Sequence, residues 1–308
     1  MSLRHFISLA QYSSDELNHV LEVAARLKAQ LKSTGHNDPL LAGKTLAMIF
    51  EKPSLRTRVS FSVAMTQLGG TGLLLRDEEV GLGKREAVQD VARVLSGMCD
   101  GIMARTFSHE NLKLLAKWST VPVINALTDY SHPCQAMADV MTIKENFGTL
   151  EGKTVAYVGD GNNVARSLSV ACGKFGIRFI LASPAKYVLP EDDMSRIMSQ
   201  VPEMDFITTQ DPIEAVREAD AIYTDTWVSM GQEAEKAIRV KEFAGFCIDE
   251  KLLAAAPKHA IVLHCLPAYR GLEISDAVLE GPQSRVFPQA ENRLHFQKGL
   301  LAVLMGGQ

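Results

Sequence analysis

The chain has 308 residues, 46% hydrophobic and 22% charged, with 32 Lys+Arg against 36 Asp+Glu and a formal net charge of -4. This composition excludes disorder, a collagen-like repeat and a coiled coil, and without a long Lys/Arg run it offers no footprint for nucleic acid or an anionic membrane. At about 150 residues per domain the length suggests two domains.

The opening segment, Met1 to Ser8, is too short and polar for a secretory signal. No run approaches the roughly 18 apolar residues of a membrane span, so a soluble protein is expected. Cys99, Cys134, Cys172, Cys247 and Cys265 are scattered, which suggests reduced thiols in a cytoplasm. The close pairs His132 with Cys134 and His264 with Cys265 do not have a usual metal spacing, so no metal and no cofactor are expected.

Short apolar runs alternate with helical patterns along most of the chain, the signature of α/β units with a mostly parallel sheet and flanking helices. Strands are expected at Thr45 to Phe50, Gly72 to Leu75, Gly101 to Ala104 and Val121 to Asn125. A helix carrying Phe61, Ala64, Met65 and Leu68 stops at Gly69-Gly70. From Ser131 to Phe147, one stripe (Ala136, Val140, Ile143, Phe147) and a second (Cys134, Met137, Met141) describe a helix apolar on two sides. We read it as the connector, residues 131-150, between a first domain (1-130) and a second (151-286). The second series of strands is Thr154 to Val158, Arg178 to Ala182, Ala221 to Thr224 and Ala260 to His264. A last helix within 287-308 carries Phe296, Leu300 and Val303 on one face and is expected to dock back on the first domain. No internal repeat is visible.

Polar clusters fall where strands run out. Ser54-Leu55-Arg56-Thr57-Arg58 follows a strand and opens a helix, with Ser54 as N-cap. A helix N-terminus carries about half a positive charge, and two arginines and two hydroxyls add to it, so the segment reads as a phosphate cradle or as a capped surface helix. Arg105 ends another strand, and Ser131-His132-Pro133-Cys134-Gln135 puts an imidazole and an amide in the first turn of the connector. In the second half, Thr224-Asp225-Thr226-Trp227-Val228-Ser229-Met230-Gly231 and His264-Cys265-Leu266-Pro267 follow strands. The Ser229 to Glu233 stretch has the composition of a mobile flap or an ordinary loop.

In order along the chain, Ser54 to Arg58, His132 to Gln135, Asp160-Gly161-Asn162-Asn163, Asp225 to Gly231, His264 to Pro267 and Glu291-Asn292-Arg293-Leu294-His295 resemble the carbamoyltransferase family, and its ornithine branch in particular. The resemblance implies two doubly wound domains, one for carbamoyl phosphate and one for the amino acid, in a cytoplasmic homotrimer serving arginine biosynthesis. It implies transfer of the carbamoyl group of carbamoyl phosphate to L-ornithine, giving L-citrulline and phosphate. Ser54, Leu55, Arg56, Thr57, Arg105, His132, Gln135, Cys265, Leu266 and Arg293 would then hold carbamoyl phosphate, with Arg56, Arg105, His132 and Cys265 catalytic. Asn163, Asp225, Ser229 and Met230 would hold ornithine. Two departures stand out: Leu55 where the family usually has threonine, and Gly81-Leu82-Gly83 where many relatives have a ligand-touching glutamine before Leu-Gly.

Other acceptors are an acylated ornithine, putrescine and aspartate. Asp225 suits a free α-ammonium, which the first two lack, and offers aspartate's second carboxylate an anion instead of a cation. A remoter alternative is an NAD-dependent oxidoreductase, from Val158-Gly159-Asp160-Gly161-Asn162-Asn163 after a strand. Its third glycine is absent, and Leu181-Ala182-Ser183-Pro184 stands where the acidic ribose partner would be.

Overall fold

The computed structural model describes residues 5–229 and 231–308, and its chain divides into two compact units, Met1–Ala138 with Glu291–Gln308, and Asp139–Ala290. Unit 1 holds a parallel sheet of β1 (Thr45–Phe50), β2 (Thr71–Arg76), β3 (Gly101–Arg105) and β4 (Val123–Leu127), in the order β2-β1-β3-β4. Unit 2 holds β5 (Thr154–Val158), β6 (Arg178–Ala182), β7 (Phe206–Thr209), β8 (Ala221–Thr224) and β9 (Ile261–His264), also parallel, in the order β7-β6-β5-β8-β9. Each sheet is therefore an α/β sheet whose strand order reverses once, between β1 and β3 and between β5 and β8. Crevices for ligands open at the carboxyl ends beside such reversals.

The burial pattern explains the strands. β3 and β5 are buried throughout, as parallel strands covered on both faces must be, and are apolar apart from Arg105 at the end of one and Thr154 at the start of the other. In unit 1 Ala47, Ile49, Ile102, Ala104, Leu112 and Leu115 form part of one core. In unit 2 Ala156, Val158, Ile222, Val262, Trp227 and Phe243 belong to another.

Three elements depart from expectation. β7 is missing from the sequence reading because it is a short edge strand with little burial, so it carries no apolar run. β4 begins at Val123, not Val121, since Pro122 has no N–H to give the ladder. The last helix begins at Val286 and runs to Gly306. Pro288 lies in its first turn, where the N–H groups have no helical acceptor anyway.

A device at the amino ends of the strands recurs in both units, although the sequence shows no repeat. In unit 1 Asp100, just before β3, accepts from Thr45 N at 2.8 Å and Lys44 Nζ at 2.9 Å, while its own N–H donates to Thr45 O at 2.9 Å. In unit 2 Asp220, just before β8, accepts from Thr154 N at 2.9 Å and Lys153 Nζ at 3.3 Å, and its N–H donates to Thr154 O at 2.9 Å. The order β2-β1-β3-β4 likewise matches β6-β5-β8-β9. The two units share a plan that only Gly-Lys-Thr at 43–45 and 152–154 betrays in the sequence.

Candidate active site

In unit 1 the loops leaving β1, β3 and β4 build one cluster. After β1, Ser54 turns to φ -160°, ψ 118° and caps the Leu55–Gln67 helix, its hydroxyl accepting from Thr57 N at 3.2 Å. Glu51 N donates to Arg105 O at 2.9 Å, which ties this loop to the end of β3. The pairing of β3 with β4 slips at Ala104/Arg105, an irregularity of the kind that redirects a side chain at a strand end. After β4, Thr128 N donates to Ser131 O at 2.9 Å and Ser131 N to Thr128 Oγ1 at 3.1 Å. That tight turn delivers His132 to the start of the Pro133–Phe147 helix, where its carbonyl accepts from Gln135 N and Ala136 N.

Arg293, from the Val286–Gly306 helix, joins these pieces. Its Nη1 donates to Gln135 Oε1 at 2.6 Å and its Nη2 approaches Thr57 Oγ1 at 3.4 Å. His132 is 5% exposed, and burial holds its pKa well below the ordinary histidine value, with Arg293, Arg105 and Arg56 pushing in the same direction. At neutral pH His132 is therefore an uncharged imidazole in the field of three guanidiniums. Such a cluster suits a small, doubly charged anion bearing a carbonyl: the arginines and the helix N-terminus take the charge, and the imidazole can donate to an oxygen.

Leu55 is 74% exposed, so the missing threonine hydroxyl leaves no buried group unsatisfied. Cys134 is core: its thiol donates to Asn125 O at 3.3 Å, and burial raises its pKa to about 12 although Arg293 opposes.

In unit 2 the ends of β5, β8 and β9 build a second cluster, around a carboxylate. Thr224 Oγ1 donates to Val158 O at 2.6 Å, fixing the end of β8 to that of β5. Asp225 is 7% exposed, and both of its oxygens accept hydrogen bonds. Its Oδ1 accepts from Thr226 N at 2.7 Å and from Cys265 Sγ at 2.9 Å, and its Oδ2 accepts from Asn162 Nδ2 at 2.8 Å. Asn162 has one possible orientation, because its Oδ1 caps the Asn163–Lys174 helix by accepting from Val164 N at 2.8 Å and Ala165 N at 3.1 Å. Asn163 is the first residue of that helix.

Asn162 was named in the sequence only as part of a motif. The signal that could have found it is an Asx immediately before a helix, where the side chain that caps can also orient a neighbour. Arg239 lies in no motif of the sequence: its Nη1 donates to Asp160 Oδ2 and Trp227 O, both at 3.0 Å, and its guanidinium lies 4.7 Å over the Tyr187 ring. It anchors the segment from Asp225 to Ser229. Burial raises Asp160 to about 6 against the pull of Arg239. Ser229 N donates to Gln232 Oε1 at 3.1 Å. Met230 lies outside the described residues.

Asp225, His264 and Cys265 offer ligand atoms within 4.8 Å of one another. His264, however, accepts from Leu266 N at Nδ1 (2.8 Å) and meets Glu273 Oε1 with Nε2 (3.1 Å). A metal ion would have to break one of these bonds.

The fingerprint-like glycine at 161 serves the chain itself. A Cβ there would lie 2.7 Å from both Leu189 N and Tyr187 O, and Gly161 N donates to Tyr187 O at 2.7 Å. The close approach that a dinucleotide's pyrophosphate would need is taken by backbone, which removes the oxidoreductase reading. Among the described residues no helix is long and apolar enough to cross a membrane.

Comparison with known proteins covers both halves of the chain. Residues 4–145 match the aspartate/ornithine carbamoyltransferase carbamoyl-P binding domain, and residues 151–304 match the Asp/Orn binding domain of the same family. An ornithine carbamoyltransferase of Pelobacter propionicus is 50% identical over 305 residues, covering 99% of each chain. The anabolic ornithine carbamoyltransferase of Pyrococcus furiosus is 49% identical over 306 residues, covering 99% of this chain and 97% of its own. A solved structure of ornithine carbamoyltransferase from Pyrococcus furiosus superposes with a TM-score of 0.95 at 48% identity, covering 99% of this chain and 98% of that one.

Proposed function

The chain belongs to the aspartate/ornithine carbamoyltransferase family, and we propose how its residues divide the transfer of a carbamoyl group from carbamoyl phosphate to the side-chain amine of L-ornithine. Unit 1 holds the donor. Ser54, Leu55, Arg56 and Thr57 bind its phosphate at the helix N-terminus, with Gln135 and Arg293 beside them. Arg105 and the neutral His132 donate to the carbonyl oxygen.

In unit 2 Asp225, oriented by Asn162, binds the amino acid's α-ammonium together with Asn163, Ser229 and Met230. Cys265 and Leu266 contact the carbamoyl group. The observation that carries this division is the buried His132 at the start of the Pro133–Phe147 helix, with Arg293 bonded to both Gln135 of that helix and Thr57 of the helix after β1.

The amine nitrogen bonds to the carbonyl carbon, the oxyanion of the tetrahedral intermediate is held by Arg105 and His132, and the carbon–oxygen bond to phosphate then breaks. Preorganised donors of this kind are each worth roughly a hundred- to a thousandfold in rate. The amine must also lose a proton, since at a pKa of about 10.4 only about one molecule in a few thousand is free base at pH 7. Cys265 donates its own proton to Asp225. Its sulfur is the atom assigned to accept a hydrogen bond from the amine as the nitrogen's proton leaves, and Asp225 remains the counterion of the α-ammonium.

Ornithine is favoured over an acylated ornithine, putrescine and aspartate by the anionic pocket at Asp225 and by the activity named for the relatives above. We also propose that the protein works in arginine biosynthesis, in the cytoplasm, as a homotrimer. The exposed apolar side chains of Leu55, Val59, Leu73, Val94 and Met98 support self-association, and light scattering tests it. Assaying carbamoyl phosphate against the four acceptors tests the activity: turnover with ornithine alone is expected, and its absence refutes the assignment.

A further inference from the structure

Leu266 is the one residue other than glycine at positive φ among the described residues, at 58°. A side chain in this region is strained, and such residues persist where their surroundings hold them. What holds Leu266 is a buried pair behind it. Its N–H donates to His264 Nδ1 at 2.8 Å, so Nδ1 carries no proton and the ring proton sits on Nε2. Nε2 faces Glu273 Oε1 at 3.1 Å, and the same oxygen accepts from Tyr269 N at 2.5 Å. His264 and Glu273 are 0% and 1% exposed, and His264 N is held by Gln289 Oε1 at 2.8 Å.

We propose that Glu273 is a positioning residue for the Cys265–Leu266 segment, acting through His264. A carboxylate can only accept, so it fixes the imidazole proton on Nε2 and leaves Nδ1 as the acceptor that Leu266 requires. In the other tautomer Nδ1–H would face the Leu266 N–H, donor against donor, and the left-handed turn would lose its restraint. Cys265, next in the chain to both residues, bonds to Asp225 Oδ1 at 2.9 Å, so the turn sets the thiol on that carboxylate. The consequence for catalysis rests on the function proposed above; the control of the turn does not.

The test compares Glu273→Leu, Glu273→Gln, His264→Asn and the Glu273→Leu/His264→Asn double variant in the full-length protein. Two readouts are used: citrulline formation, and the rate at which iodoacetamide alkylates Cys265, followed by peptide mass. Glu273→Leu should lower kcat by about 10- to 100-fold, as expected for slight misplacement of reacting groups, and speed alkylation several-fold. Glu273→Gln, whose amide oxygen is fixed by Tyr269 N–H, should stay within about threefold of wild type in both. Because Glu273 acts through His264, the losses in the double variant should not add.

Native behaviour of Glu273→Leu, equal damage by Gln and Leu, or additive losses would each overturn the proposal. If Glu273→Leu does not fold, His264→Asn and His264→Phe replace it. Asn can accept from Leu266 N–H and should protect Cys265, Phe should not, and equal alkylation rates refute the idea. Alkylation needs no turnover, so an inactive wild type would sink the proposed function while leaving this inference decided by its own readout.

Discussion

Replacing Asp225 by asparagine removes one charge while keeping size and shape, and the bonds around it fix how the new amide must sit. Its oxygen has to take the Oδ1 position, where Thr226 N and Cys265 Sγ both donate. The amide NH2 then faces Asn162 Nδ2, and Asn162 cannot turn to relieve the clash because its oxygen caps the following helix. One buried donor left unpaired costs about 1–3 kcal/mol, which should lower the melting temperature by several degrees. Loss of the charge-assisted bond to the α-ammonium, about 1.5–3 kcal/mol, should reduce kcat/KM for ornithine by a further factor of roughly 10 to 150. Steady-state citrulline formation with ornithine varied, and a thermal melt of the same preparation, measure both. An Asp225→Asn enzyme with kcat/KM for ornithine within threefold of wild type would refute the role assigned to this carboxylate.

Arg56→Ala should lower kcat at least about a hundredfold while the fold persists, and it should abolish the thermal stabilisation that inorganic phosphate gives the wild type; unchanged stabilisation by phosphate would locate the anion elsewhere. Gly161→Ala should destabilise unit 2 because the new Cβ meets Leu189 N and Tyr187 O at 2.7 Å, and a melting temperature equal to wild type would contradict that packing. Lys298 is buried against Asn37 Oδ1 and Gln67 Oε1, and burial lowers its pKa from 10.5 to about 8. The folded state thus binds this proton less tightly than the unfolded chain does, so the penalty is complete below pH 8 and lifts as the pH rises toward 10.5. The wild type should therefore gain stability on Lys298→Met between pH 7 and pH 9.5 in urea unfolding; a difference independent of pH would refute this.

Most of the architecture was legible because buried parallel strands are mainly apolar along their length, as β3 and β5 are. The edge strand β7 was not, since half-exposed Phe206-Ile207-Thr208-Thr209 carries no period that distinguishes it from a loop. The arginines and His132 were legible because they stand where strands end. Arg239 was not, and of Asn162 only the capping role was: their bonds to Asp160 with Trp227 O and to Asp225 join groups distant in sequence, and no local spacing encodes such a partnership. The same holds for the Glu273–His264 pair, where the residue that shapes the turn after β9 lies beyond it in the chain.

Asp100 and Asp220 moor the central strands of both units at the ends opposite the loops that carry the chemistry. A sheet secured there should keep its register when loops at its other rim are exchanged. On the site proposed above, grafting the segment after β8 should therefore shift the preference among amine acceptors while the scaffold beneath it stays untouched.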